Sequence, residues 1–153
     1  ELRRLNLLGY LDLQENSLEG TLPSFLGRLT GLNTLLLDNN SFTGTLPTEL
    51  GQSVSLTWLA LDTNYLEGSL PSELGQLTAL TQINLEMNSF TGTLPTELGQ
   101  LVALQFLHGD NNKFEGAIPT QLGNCADLVE FSFPRTNLTG TLPTELGRLT
   151  TLM

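Results

Sequence analysis

Three residues in the second half of the chain have the chemistry of a nucleophilic hydrolase: His108, Asp110 and Ser132. A serine beside a histidine that an aspartate orients can act as a nucleophile, because the histidine accepts the hydroxyl proton. However, no glycine-rich elbow and no donor for an oxyanion accompany Ser132. The sequence therefore argues against catalysis, and we expect no enzyme activity and no cofactor.

Four carboxylates follow one another at a spacing of about 24 residues: Asp38, Asp62, Glu86 and Asp110. Like charges in register on neighbouring strands destabilise by about 0.5 kcal/mol per pair, so the pattern needs a reason. One interpretation is attraction for a basic partner or for a hard cation such as calcium. The other, which we favour for the aspartates, is that each caps the turn after its strand. Glu86 is too long for that bond and is the better candidate for binding a partner. Because we favour the capping role for the three aspartates, we predict no metal site.

Proline and glycine keep the same spacing along the whole chain. The proline column is Pro23, Pro47, Pro71, Pro95, Pro119 and Pro143. The two glycine columns are Gly20, Gly44, Gly68, Gly92, Gly116 and Gly140, and Gly27, Gly51, Gly75, Gly99, Gly123 and Gly147. A fixed period of this length is typical of a solenoid, in which similar units stack on one another.

The leucines follow the spacing LxxLxxLxLxxNxFxGxLPxxLG, as between Leu29 and Gly51. The LxL pair alternates inward and outward residues as a strand does, and the proline and final glycine bracket about one helical turn. One unit cannot bury its apolar side alone, so the units must share a core. The predicted core columns are Leu11, Leu35, Leu59, Ile83, Leu107 and Phe131; Leu13, Leu37, Leu61, Leu85 and Phe133; and Leu18, Phe42, Leu66, Phe90, Phe114 and Leu138.

This pattern resembles plant-type leucine-rich repeats, as in receptor-like kinase ectodomains, polygalacturonase-inhibiting proteins and related microalgal repeat proteins. The resemblance implies an α/β solenoid of about six repeats, a right-handed superhelix with a concave parallel sheet and short 3-10 turns on the convex side. It also implies a second, shorter sheet around Gly44 to Pro47. An internal ladder of side-chain amides is implied at Asn16, Asn40, Asn64, Asn88 and Asn112, and it breaks at Thr136.

The sixth repeat is irregular, and both ends of the chain cut through a repeat. Gly109 stands where a core leucine belongs, and we expect Phe133 to fill the space, because an empty site would cost stability. Pro134 follows the strand and cannot donate to a sheet. Neither end carries a polar cap. We expect residues 1–153 to form a single domain that is a fragment of a longer chain.

Side chains between the core positions of each strand should point outward on the concave face. One outward row, the aromatic row, is Tyr10, Thr34, Trp58, Gln82, Phe106 and Glu130. A second, the acidic row, is Gln14, Asp38, Asp62, Glu86, Asp110 and Pro134. Between them lies the central row, Asp12, Leu36, Ala60, Asn84, His108 and Ser132. Aromatic residues on every second strand could shield their neighbours, but we favour recognition, because exposed aromatics are frequent binding anchors.

Composition narrows the choice of partner. The formal net charge of −10 opposes binding to nucleic-acid phosphates and anionic lipids, and fits a neutral or basic protein or peptide. No stretch is apolar enough to insert into a membrane. The single cysteine, Cys125, excludes an internal disulfide, and its place in a leucine column predicts burial.

We therefore expect a non-catalytic module that recognises a protein or peptide through its concave face. The resemblance implies a cell-surface or secreted protein. The candidate partner-binding residues are Tyr10, Trp58, Phe106, Glu86, His108, Asp62 and Asp110. The alternative is a structural subunit packed within a larger assembly.

Overall fold

Each repeat folds into one main strand, one shorter strand and one 3-10 turn. The computed structural model describes residues 7–152, which contain six such repeats. The main sheet consists of β1 (Tyr10–Asp12), β3 (Thr34–Leu36), β5 (Trp58–Ala60), β7 (Gln82–Asn84), β9 (Phe106–His108) and β11 (Glu130–Ser132). The second sheet consists of β2 (Glu19–Thr21), β4 (Ser41–Gly44), β6 (Tyr65–Gly68), β8 (Ser89–Gly92), β10 (Lys113–Gly116) and β12 (Asn137–Leu138). The 3-10 turns are Ser24–Arg28, Thr48–Gln52, Ser72–Gln76, Thr96–Gln100, Thr120–Asn124 and Thr144–Arg148.

Both sheets are parallel, and their strand order follows the order of the repeats. In the main sheet, each residue pairs with the equivalent residue of the next repeat, as Leu35 does with Leu59 and Leu59 with Ile83. Repeats therefore contact only their neighbours, and the predicted solenoid with a concave main sheet is confirmed. Any feature that recurs once per repeat forms a straight row across the sheet.

The core runs through the middle of the stack, where the leucine columns meet. Leu35, Leu59, Ile83 and Leu107 have no exposed surface. The prediction was wrong for Leu13 and Leu18, which are 38% and 37% exposed because they belong to the first described repeat and no described repeat covers their other side. The outer members Leu11, Phe131, Phe133 and Leu138 are partly buried and pack against the core.

The asparagine ladder satisfies backbone groups where each main strand ends. Asn64 is buried, and its Nδ2 donates to the carbonyl oxygens of Leu37 (3.0 Å), Leu61 (3.1 Å) and Asp62 (3.2 Å). Its Oδ1 accepts a 3.0 Å bond from the amide of Phe42. Each interior asparagine thus joins its own repeat to the preceding one.

Thr136 breaks the ladder as expected, and its hydroxyl donates to the carbonyl of Phe133 (2.8 Å).

The second sheet lies slightly earlier in each repeat than the resemblance implied. Its strand β4 ends at Gly44 rather than continuing to Pro47. Gly44 has a φ of +73°, which turns the chain out of the extended conformation, and Pro47 has no amide hydrogen to donate. The correction leaves the core unchanged.

Phe133 in the sixth repeat fills the space of the leucine that Gly109 replaces in the fifth repeat. A Cβ added at Gly109 would collide with the ring of Phe133, so that ring occupies the space of the missing leucine. Phe133 also packs against Phe131 and Phe114, with ring centroids 4.6 and 5.6 Å away. Pro134 lies beyond β11 and contributes only an acceptor, its carbonyl taking a 3.1 Å bond from Asn111. The predicted role of Phe133 is confirmed.

Candidate functional site

The three outward rows lie side by side on the concave face. In each repeat, the aromatic and central positions are the first and last residues of the main strand, and the acidic position lies two residues beyond its end, so neighbouring rows are about 7 Å apart. The register across the sheet pairs Tyr10 with Thr34, Thr34 with Trp58, Trp58 with Gln82 and Gln82 with Phe106. The strand geometry therefore brings the predicted site residues onto one surface.

The aromatic row presents rings to solvent. Tyr10 is 57% and Trp58 38% exposed, while Phe106 is half-buried, with its ring edge-on to His108 at a centroid distance of 6.3 Å. The hydroxyl of Tyr10 donates to Asp12 (3.1 Å), two residues further along the same strand. A tryptophan held partly in water on a rigid sheet is a favourable anchor, because its burial by a partner gains apolar contact at little entropic cost.

The central row has an apolar floor that sequence reasoning missed. Leu36 and Ala60 are only 4% and 3% exposed, yet they lie outside the main core cluster. In each repeat they lie between the aromatic and acidic positions. The signal was present in the sequence, because two apolar residues occupy outward positions that hold polar residues in the other repeats.

The acidic row does not cap the turns, and that interpretation of the aspartates was wrong. The amides that Asp38 would have capped, those of Asn39 and Asn40, donate to the carbonyls of Asp62 (3.0 Å) and Thr63 (3.2 Å) in the next repeat. The two amides that follow Asp62 donate to carbonyls of the next repeat in the same way. Because these backbone amides are bonded to the next repeat, they are not available to the carboxylates, which therefore do not cap the turn.

Asp62 is the most perturbed member of the acidic row. Burial, together with the nearby charges of Asp38 and Glu86, raises the pKa of Asp62 to about 6, and hydrogen bonds partly offset these effects. Its neighbour Asp38 accepts a 3.0 Å bond from Asn39 through Oδ2, whereas its Oδ1 is buried and has no hydrogen-bond partner among residues 7–152. The row thus concentrates negative charge, and among residues 7–152 only Glu86 lies within salt-bridge distance of a basic side chain, His108.

Replacing Asp62 with asparagine is expected to stabilise the fold at neutral pH. Because the pKa is raised in the folded state, the stabilising contribution of Asp62 is fully present below about pH 4 and is lost as the pH rises through about 6. Asp62→Asn should therefore raise the free energy of unfolding by about 1 kcal/mol at neutral and higher pH. This figure is smaller than the full pKa shift would give, because solvent screens a half-buried group. Near pH 4 the substitution should change the free energy of unfolding little. Urea unfolding at both pH values measures this.

Glu67→Gln is the matched control, because Glu67 is exposed on the second sheet. It should change the stability little at either pH. An Asp62→Asn variant that is no more stable than the wild type at neutral pH would contradict the electrostatic strain assigned to the row.

His108 lies between two glutamates rather than in a catalytic triad. Its Nδ1 is 3.4 Å from Glu86 Oε1, and its Nε2 is 3.4 Å from Glu130 Oε1 without hydrogen-bond geometry. Ser132 donates its hydroxyl proton to Asp110 (3.0 Å) and makes no bond to the histidine. Glu130 is the member of this cluster that sequence reasoning missed, although it stands in the aromatic row beside the histidine strand.

The charged cluster around His108 is not accompanied by a metal-binding group or a reactive thiol in the part of the chain that the structure describes. Within residues 7–152, no group of three or more His, Cys, Asp or Glu side chains is placed to hold a metal ion. Cys125 is buried, and burial raises the pKa of its thiol to about 11, which keeps it from acting as a nucleophile.

A cavity of about 230 Å³ lies away from these rows, in the first described repeat. Leu11, Leu13, Leu22 and Phe25 are among the side chains that line it, and the lining is mostly apolar. It offers no converging polar groups of the kind that a substrate pocket uses. Among the described residues, no helix has the length and hydropathy needed to cross a bilayer.

Comparison with protein families gives a repeated match. The profile described as Leucine Rich Repeat matches residues 7–29, 31–53, 55–77 and 79–101. No curated protein sequence matches the chain.

Solved structures of plant receptor ectodomains are close to this fold. The ectodomain of the membrane receptor kinase GASSHO1/SCHENGEN3 from Arabidopsis thaliana, in complex with CASPARIAN STRIP INTEGRITY FACTOR 2, is 40% identical with a TM-score of 0.94, over 96% of this chain and 18% of that chain. The plant peptide hormone receptor RGFR1, in complex with RGF2, is 35% identical with a TM-score of 0.92, over 94% and 23% of the two chains. This chain thus spans about a fifth of either ectodomain.

A shorter ectodomain matches over most of its own length. The ectodomain of the receptor kinase SOBIR1 from Arabidopsis thaliana is 31% identical with a TM-score of 0.80, over 87% of this chain and 72% of that chain.

Proposed function

Because the chain belongs to the leucine-rich repeat family, we propose that it is a non-catalytic recognition module that binds a protein or peptide on its concave face. The observation that carries the proposal is the aromatic row, with Tyr10 and Trp58 substantially exposed on a rigid sheet. The acidic row beside it adds a charge that a basic partner would neutralise. The binding surface comprises Tyr10, Trp58, Phe106, Glu86, His108, Asp62 and Asp110.

The relatives support the kind of partner and the location. One is a peptide hormone receptor in complex with RGF2, and another is the ectodomain of a membrane receptor kinase in complex with CASPARIAN STRIP INTEGRITY FACTOR 2. By analogy with these ectodomains, the proposed location of this chain is the cell exterior, in a secreted or surface protein. Family membership alone does not identify a ligand, because one fold serves many partners.

The test is affinity capture from the extracellular and membrane fractions of the source cells. The variant Trp58→Ala combined with Phe106→Ala should recover at least about 10-fold less of the partner, because truncating a central aromatic anchor costs about 2 kcal/mol. Circular dichroism and thermal unfolding establish that the variant remains folded.

Tyr65→Ala is the control, since Tyr65 is 65% exposed but lies on the second sheet. It should leave recovery unchanged. If the double variant recovers every partner as well as the wild type does, the concave face is not the binding surface.

The second candidate function, a structural subunit of an assembly, is favoured by exposed apolar residues that lie outside the main sheet. Val54 and Val102 are 54% and 55% exposed at the same position of two repeats, between the 3-10 turn and the next main strand. An assembly that covers this surface would lose subunits when both valines are changed to serine. The Trp58→Ala, Phe106→Ala variant would leave that assembly unchanged.

A further inference from the structure

The rings of the aromatic row recur on every second strand of the main sheet. Tyr10, Trp58 and Phe106 are each separated by one intervening strand, which carries Thr34 or Gln82 at the same position. Neighbouring strands lie about 4.8 Å apart, so successive rings are about 9.6 Å apart. A partner that contacts all three rings with equivalent groups must repeat over the same distance.

Only one regular peptide conformation matches that period closely. A polyproline II helix has three residues per turn and rises about 3.1 Å per residue, so the same side of the helix returns every 9.3 Å or so. An extended strand returns the same side about every 6.7 Å. Two turns of an α-helix span about 10.8 Å, which accumulates an error of more than 2 Å over three rings. The row therefore favours polyproline II, which is known to dock on aromatic-lined surfaces.

The strip of sheet between the rings and the acidic row is apolar on two neighbouring strands. Leu36 and Ala60 form the apolar floor of the central row, about 7 Å along the strands from the rings. A helix lying across the strands over this floor would direct one of its three sides to the rings. A second side would point to the acidic row and the third to solvent.

The negative charge of the acidic row determines which side chains the peptide helix would carry on the side that faces this row. Asp38, Asp62, Glu86 and Asp110 supply one carboxylate just beyond the end of each of four consecutive strands. Neither oxygen of Asp38 has a basic partner among the described residues, and its Oδ1 has no hydrogen-bond partner at all. A lysine or arginine in every turn of the helix would reach this row with its flexible stem and neutralise it.

Resting on the concave-face recognition proposed above, we propose that the bound segment is a basic, proline-rich peptide in the polyproline II conformation. It crosses the strands of the main sheet, with one proline per turn against Tyr10, Trp58 and Phe106. One basic side chain per turn faces the acidic row. The partner class is thereby defined by its period and charge.

Synthetic peptides test the period and the charge separately. The probe is a peptide of about four Pro-Pro-Lys triplets, roughly 37 Å long, which exceeds the span of about 19 Å from Tyr10 to Phe106. The first comparison peptide replaces each triplet with Gly-Ser-Lys, which keeps the charge and removes the helix. The second uses Pro-Pro-Glu, which keeps the helix and reverses the charge.

Trp58 is the only tryptophan of the chain, so its fluorescence reports binding at the row directly. We expect the Pro-Pro-Lys peptide to shift the emission of Trp58 and to bind at least 10-fold more tightly than the Gly-Ser-Lys peptide. The Pro-Pro-Glu peptide should not bind. Phe106→Ala should weaken the Pro-Pro-Lys peptide about 5-fold or more, and Tyr65→Ala should have no effect.

Equal binding of the Pro-Pro-Lys and Gly-Ser-Lys peptides would overturn the proposal, because charge alone would then explain it. Absence of binding by the Pro-Pro-Lys peptide would overturn it as well. In that case, loss of the captured partner in the Trp58→Ala, Phe106→Ala variant would still uphold the concave face as the binding surface. The two proposals therefore fail by different results.

Discussion

Replacing Gly75 with alanine is expected to lower the free energy of unfolding by about 2 kcal/mol. Gly75 is buried in the 3-10 turn Ser72–Gln76, against the next repeat. A Cβ at this position would lie 2.5 Å from the carbonyl oxygen and 2.7 Å from the Cβ of Glu97. Because the main obstacle is backbone, relief requires the two repeats to separate. Chemical denaturation with circular dichroism as the readout measures the loss.

Gly147→Ala is the matched control in the same glycine column. A Cβ at Gly147 meets no atom within 4 Å among the residues that the structure describes. Alanine there should be neutral or slightly stabilising, because it also restricts the unfolded chain. If both variants lost the same stability, the close approach of neighbouring repeats would not be the reason for the glycine column.

Replacing Asn64 with alanine is expected to lower the free energy of unfolding by about 3 kcal/mol. The substitution removes a buried side chain that serves the carbonyls of Leu37, Leu61 and Asp62 and the amide of Phe42. Each buried backbone group left without a partner costs about 1–3 kcal/mol, and water can reach only some of them. Thermal and urea unfolding of the variant give the magnitude.

Asn16→Ala is the control for the ladder. Asn16 is exposed, and among residues 7–152 its side-chain amide donates only to the carbonyls of Leu13 (3.2 Å) and Gln14 (3.0 Å), both within its own repeat. Its loss should cost about 1 kcal/mol or less, because water replaces the amide. A comparable loss at both positions would mean that the ladder does not link repeats.

The sequence contained enough to predict the sheet register and most of the core. In a solenoid, each contact recurs once per repeat, so the spacing of Leu35, Leu59 and Ile83 specifies which residues pair. The same argument placed Tyr10, Trp58 and Phe106 in one row. It failed for Leu13 and Leu18, because a periodic pattern does not show how much of an outer repeat its neighbours cover.

Details that depend on contacts between repeats could not be predicted. The turn-capping role of Asp38 looked plausible within one repeat, but the next repeat supplies the acceptors for the amides concerned. The position of His108 between Glu86 and Glu130 depends on side-chain rotamers, which the spacing does not determine. Both departures are in the concave face, where the outward residues differ between repeats.

The concave face as the recognition surface is tested most directly by hydroxyl-radical footprinting of the complex with the partner recovered by affinity capture. Mass spectrometry then reports the oxidation of each aromatic side chain with and without the partner. The partner should protect Tyr10, Trp58 and Phe106, while Tyr65 on the second sheet remains as reactive as in the free chain. Protection of Tyr65 or Val54 with no change at Trp58 would contradict the account.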